Sequence, residues 1–212
     1  PFLRGKVSAV LKKSGFRQNS HAEKDLVSIL STLPRDDLIQ APVSQLYRMS
    51  MGILHMQERR RIKLFIREDN YGRFFSCLVY IPRDKFTTTL LQSIQSILVE
   101  KLNGIEVTFS THFSVSVLVR LDFVIRVDHK KAVKVHRKAI EQLLVDAGKS
   151  WQERLFESAS LSSFEHHKEY YMEKYDSFFI GSYKEHVKPE NAIKDMLNVE
   201  KLSESMPMVI DC

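Results

Sequence analysis

Near residue 60 the spacing of apolar residues changes from the period of a helix to that of a strand, and this change limits the folds open to the chain. Upstream, Val7, Val10 and Leu11 share one helical face, as do Leu26, Ile29, Leu30 and Leu33. Pro34 ends the second of these helices, because proline removes a backbone donor and clashes with the preceding turn. Pro42 suits the first turn of a further helix with the stripe Leu46, Met49, Ile53 and Met56. From Arg59 the apolar positions alternate. Ile62, Leu64 and Ile66 are followed by the turn Glu68-Asp69-Asn70-Tyr71-Gly72, then by Phe75, Cys77, Val79 and Ile81. Two alternating runs around a short glycine-containing turn make a hairpin.

Pro82-Arg83-Asp84 should open a helix at once, with Leu90, Leu91, Ile94, Ile97, Leu98 and Leu102 on its apolar face. Asn103-Gly104 closes that helix as a left-handed cap. A strand with Ile105, Val107 and Phe109 follows, then a long one placing Val115, Val117, Val119, Leu121, Phe123 and Ile125 on one face and Arg120, Asp122 and Arg126 on the other. That second face should meet solvent or a partner. Asp128 is the expected N-cap of a helix carrying Val135, Ala139, Ile140, Leu143 and Leu144. The order is ββαββα, an α+β sandwich of the ferredoxin-like type, circularly permuted from the usual βαββαβ. A strand at Met51 to His55 would alter that count. After Trp151 the pattern is helical again, through Leu155, Phe156 and Ala159, with an aromatic stretch from Phe164 to Phe179, a break at Gly181 and a last helix from Pro189.

Composition excludes several classes. With 212 residues, 43% of them hydrophobic and 27% charged, the chain can build one sizeable core or two smaller ones. No apolar run reaches the roughly 20 residues of a membrane span, and the N-terminus has no secretory signal pattern. Two cysteines, Cys77 and Cys212, point to a reducing cytoplasm. A net charge of +6 and a pI near 9.3 raise the question of nucleic acid, yet Lys12-Lys13, Arg59-Arg60-Arg61 and Lys130-Lys131 fall in different elements. The absence of an initiator Met at Pro1 and the apolar run just before Cys212 lead us to expect a piece of a longer protein.

Catalytic candidates fall short. His166 and His167 diverge by about 100° on a helix, and His129 and His136 are seven apart, so neither pair suits a metal. Cys77 alternates with Phe75 and Val79 as a buried apolar residue. There is no phosphate-cradling glycine loop. Tyr71-Gly72-Arg73-Phe74-Phe75 only weakly approximates an RNA-binding strand motif. The triplets Pro34-Arg35-Asp36 and Pro82-Arg83-Asp84 start helices in the simplest reading. In a sharper one, Arg35 or Arg83 grips a carboxylate of a neighbouring subunit or an amino-acid ligand.

The string Phe65-Ile66-Arg67-Glu68-Asp69, continued by Gly72-Arg73-Phe74-Phe75-Ser76-Cys77-Leu78-Val79-Tyr80-Ile81-Pro82-Arg83-Asp84-Lys85-Phe86-Thr87-Thr88, resembles the large bacterial NAD-specific glutamate dehydrogenases in the long region before their catalytic domain. Leu33 to Gln40, Trp151-Gln152-Glu153-Arg154-Leu155, the aromatic segment through Tyr183 and Ala192-Ile193-Lys194-Asp195 are similar to family segments in the same order. The resemblance implies a parent protein that oxidises L-glutamate with NAD to 2-oxoglutarate and ammonia. It implies an ACT-like module used for amino-acid sensing or subunit contact. The family's catalytic lysine, substrate pocket and NAD-binding glycines belong to a part that this sequence lacks.

The expected organisation is therefore a helical segment at 1–57, an ACT-like ferredoxin-like module at 58–148 and a helical connector at 149–212. No catalytic, cofactor or metal residue is expected in this piece, and NAD would serve the parent. Arg35, Arg73, Arg83 and Asp84 are the candidate ligand or subunit contacts. The expected partners are other domains and subunits of a homo-oligomeric parent and an amino-acid effector, with neither membrane nor nucleic acid. The alternative reading is a stand-alone ferredoxin-like module that binds RNA through an open sheet face.

Overall fold

The computed structural model describes residues 2–56, 61–113, 117–128, 134–160, 173–175, 179 and 181–200. It divides into two compact units, 1–148 and 149–212. In the first, helices α1 (Phe2–Ser14), α2 (His21–Thr32), α3 (Arg35–Gln40) and α4 (Val43–Met56) precede strands β1 (Lys63–Glu68) and β2 (Phe74–Pro82). Helix α5 (Thr88–Lys101), strands β3 (Gly104–Phe113) and β4 (Leu118–Val127) and helix α6 (Arg137–Ala147) complete the unit. All pairings are antiparallel and the strand order is β1-β2-β4-β3. The protein is thus an α+β sandwich of the expected class.

Helices pack against both faces of the sheet. Leu64, Ile66, Phe75, Cys77, Val79, Leu121, Phe123 and Ile125 pack against Leu90, Ile94 and Leu98 of α5 and Ile140 and Leu144 of α6. The opposite face, through Leu78, Tyr80 and Leu118, packs against Val10, Leu26, Leu30, Leu46 and Ile53 of the four N-terminal helices. This explains why β2 is buried at nearly every position rather than at alternate ones. The α4 stripe Leu46, Met49, Ile53 and Met56 is buried as expected, and Met51 to His55 lie in that helix rather than in a strand. The helices cover the part of this face near Leu78, Tyr80 and Leu118, whereas Val124 and Arg126 further along β4 stay exposed.

Several local expectations are corrected. Pro82-Arg83-Asp84 leads only into a single 3-10 turn, Arg83–Lys85, and α5 starts at Thr88. Its N-cap is Thr87, whose hydroxyl accepts from the Leu90 amide at 3.1 Å. Asn103 takes the left-handed conformation, φ 52°. Gly104 is required for a different reason: a Cβ there would lie 2.6 Å from Ile125 Cγ2. The N-cap of α6 is His136, not Asp128. Arg120 is buried under the helical layer instead of facing solvent.

The edges of the sheet differ. At β1, Glu141 of α6 accepts from the Leu64 amide at 3.2 Å and pairs with Lys63 at 2.7 Å, while Arg137 donates to the Ile66 carbonyl at 3.2 Å. These side chains occupy backbone groups that would otherwise be open to another strand. Strand β3 is largely exposed, with Ile105, Phe109 and Phe113 at the surface.

In the second unit, α7 (Trp151–Ser160), α8 (Gly181–His186) and α9 (Pro189–Glu200) surround Leu155, Ala159, Tyr175, Ala192, Ile193 and Met196. The Trp151 indole donates to the Val187 carbonyl at 2.9 Å, and Phe179 stacks on Tyr183 at 4.9 Å. Burial and the Asp195 carboxylate push the Tyr183 hydroxyl well above its ordinary pKa. His129, Val115, Phe164, His166, His167, Tyr170, Tyr171 and Phe178 lie outside the described residues.

Candidate functional site

The most unusual chemistry lies between the helical layer and the sheet. Strand β1 carries Phe65 and Arg67 on the face turned to the helices, and the register sets Arg67 opposite Ser76. Pro34 starts α3 so that Asp37, one turn in, faces this arginine. The Arg67 Nε donates to Asp37 Oδ1 at 2.7 Å, and the Ser76 hydroxyl donates to Asp37 Oδ2 at 3.0 Å. Arg67 Nη1 donates to Gln40 Oε1 at 2.8 Å. The side chains of Arg67 and Asp37 are 10% and 4% exposed. The remaining guanidinium nitrogen, Nη2, is buried and has no hydrogen-bond partner among the described residues. A buried ion pair of this kind holds two layers in one arrangement, because losing either partner leaves the other charge buried alone.

Beside it is a cavity of about 160 Å³ bounded by Asp37, Arg67, Ser76, Phe65, Met49 and Leu78, with Arg48 and Arg137 also on its wall. A second cavity, about 350 Å³, shares Asp37, Arg67 and Ser76 and extends towards Asp122 and Phe109.

A second polar cluster fixes α2. Arg120 grips Asp122 with two bonds, of 2.7 and 2.9 Å, and donates to the carbonyl of Thr32, the last residue of that helix. The His112 Nε2 lies 3.0 Å from Asp122 Oδ2 and 3.1 Å from the Ser110 hydroxyl. Both contacts use the same ring nitrogen, so this is not a nucleophile relay, which needs one partner on each. Cys77 is fully buried, and desolvation together with the Asp37 charge pushes its thiol pKa far above the ordinary value. It is a packing residue. Among the described residues no group of three or more His, Cys, Asp and Glu could hold a metal.

The four residues singled out from sequence do not meet in one place. Arg35 is exposed at the start of α3. Arg73 lies just before β2, 3.0 Å from Asp69 and over the Tyr71 ring at 4.9 Å. Arg83 and Asp84 are exposed just beyond the other end of β2, roughly 30 Å away for a strand of that length. The Arg83 guanidinium lies 5.9 Å from the centre of the Phe113 ring. The glycine turn before Arg73 is closed on itself: the Gly72 amide donates to the Asp69 carbonyl at 2.9 Å, and Asp69 Oδ2 accepts from Tyr71 and Arg73. Burial alone would raise the Asp69 carboxyl, but Arg73 and these backbone amides hold it below its ordinary pKa. Sequence reasoning missed Asp37, Arg67, Arg48 and Arg137. The one available signal was Arg67 itself, an arginine that shares its strand face with the apolar Phe65.

This layered arrangement agrees with comparisons to known proteins. Residues 1–59 match the family model described as glutamate dehydrogenase, helical motif 1, and residues 63–152 match that of the glutamate dehydrogenase ACT2 domain. This chain belongs to the glutamate dehydrogenase family. It is 37% identical over 210 residues to a protein named NAD-specific glutamate dehydrogenase from Pseudomonas aeruginosa, and 38% identical over 211 residues to one from Halomonas elongata. Each alignment covers 99% of this chain and 13% of the relative. A Mycobacterium tuberculosis protein of the same name is 27% identical over 197 residues, 87% of this chain and 12% of that protein. The chain thus spans about an eighth of the length of the curated relatives it matches. The break between helical motif and ACT2 domain falls where the apolar period changes, and the Asp37–Arg67 pair bridges it.

Proposed function

We propose that this chain is a non-catalytic regulatory and assembly segment of an NAD-dependent glutamate dehydrogenase, whose whole protein converts L-glutamate, NAD and water to 2-oxoglutarate, ammonia and NADH. The observation that carries this reading is the pair of consecutive family matches, helical motif 1 followed by ACT2, joined by a buried ion pair. Residues 1–57 and 58–148 then act as one rigid body that transmits position, and 149–212 connects it onward. NAD binds elsewhere in the parent, which works in the cytoplasm as a homo-oligomer. Arg35, Arg83 and Asp84 are the surface positions we assign to contacts with other domains or subunits; Arg73 is already engaged by Asp69.

The test uses the parent enzyme and the isolated chain together. The isolated chain forms no NADH from L-glutamate and NAD. In the parent, the double charge reversal Arg35→Glu, Arg83→Glu shifts subunit assembly in sedimentation or changes kcat while leaving the KM for NAD unchanged. NADH formation by the isolated chain, or a doubly substituted parent with unchanged assembly and kinetics, overturns the reading.

A further inference from the structure

We propose that the cavity between α3, α4 and β1 is a binding site for a short-chain dicarboxylate. This deepens the regulatory reading and rests on it only for its physiological meaning.

Arg48 of α4, Arg67 of β1 and Arg137 of α6 all line the cavity, and Asp37 is the acidic residue among the lining groups. Asp37 already accepts from Arg67 Nε on one oxygen and from the Ser76 hydroxyl on the other. One guanidinium is thereby neutralised and two remain. Arg67 is 9% exposed, yet its Nη2 is unpartnered. A buried charged donor without an acceptor is expensive, and a carboxylate oxygen is the acceptor whose geometry fits the guanidinium fork.

The other walls define the rest of the ligand. Met49, Phe65 and Leu78 supply an apolar side suited to methylene groups. The volume of about 160 Å³ is an order of magnitude beyond the space one water needs. Arg48 and Arg137 are exposed, whereas Arg67 is buried. One carboxylate is therefore received at the floor by Arg67 and the other at the surface by Arg48 and Arg137. Because the walls come from both the helical layer and the sheet, with Arg137 also holding the β1 edge through the Ile66 carbonyl, occupancy would tighten the joint between them.

The test is calorimetric titration of the 212-residue chain with glutarate, with its uncharged analogue glutaramide, and with inorganic phosphate. Glutarate is expected to bind once per chain with a Kd of about 1 mM or tighter, and glutaramide at least roughly tenfold more weakly. Arg48→Gln and Arg137→Gln, both at exposed positions, should each weaken glutarate roughly tenfold, the scale of one charge-assisted hydrogen bond. Arg67→Lys should abolish binding; should that variant fail to fold, the two surface variants decide the matter. The proposal is overturned by no saturable glutarate binding, by equal binding of glutaramide, by phosphate binding in place of glutarate, or by indifference to both surface substitutions. This assay involves no dehydrogenase chemistry, so its failure is distinct from failure of the proposed parent activity.

Discussion

The two faces of the sheet are built by different means. The face under α5 and α6 is closed by apolar side chains, with Cys77, Val79, Leu121 and Ile125 fully buried. The face under α1 to α4 combines apolar contact with two buried arginines, Arg67 and Arg120, each held by an aspartate. Apolar burial is strong but tolerant of small shifts. Ion pairs with fixed hydrogen bonds are intolerant, so they set one position of the helical layer on the sheet. A regulatory segment needs a joint of the second kind, because a ligand or subunit can bias only an arrangement that is well defined.

The largest expected effect is at that joint. Asp37→Ala leaves Arg67 buried without its carboxylate and should lower stability by about 3–5 kcal/mol. Amide hydrogen exchange should show protection lost first in α1 to α4, while α5 and α6 stay protected; uniform loss would erase the distinction between the faces. On the apolar face, Leu121→Ala should cost about 2–5 kcal/mol, read by chemical denaturation, and reduce protection in α5 and α6 instead.

Smaller changes sharpen the contrast. Gly104→Ala pushes a methyl against Ile125 and should cost about 1–3 kcal/mol by overpacking. A second substitution, Ile125→Leu, which removes the β-branch that the methyl meets, should restore part of that loss, as measured by thermal melting. The mildest effect belongs to the hairpin turn. The native Asp69 carboxyl has a depressed pKa, so its contribution is present above the unfolded value of about 4 and is lost as pH falls through the lower native value. Melting temperatures of Asp69→Asn and wild type should differ at neutral pH and converge in acid. A constant difference down to pH 2 would refute this account.

Legibility in the sequence follows the same division. The hairpin, the α4 stripe and the apolar face of α5 were readable because each buries residues at a fixed local period. Cys77 as a packing residue followed from its neighbours in the strand. The face assigned to Arg120 and Asp122 was read correctly, but its cover was not, because alternation does not tell which element lies above a face. The triplet Pro34-Arg35-Asp36 looked like helix-start chemistry, and its exposed Arg35 attracted the site assignment while the adjacent Asp37 was given no role. Arg67 and Ser76, thirty and thirty-nine positions away in sequence, make Asp37 a buried partner.

The sequence alone determined the elements, the switch of period near residue 60, the α+β class and the family resemblance, because these depend on local spacing and on residue strings. Tertiary structure alone decided that the N-terminal helices cover the second sheet face, that Asp37 and Arg67 lock them there, and that three arginines meet around one cavity. The physical reason is that charges distant along the chain reveal their pairing only when folding brings them out of water together.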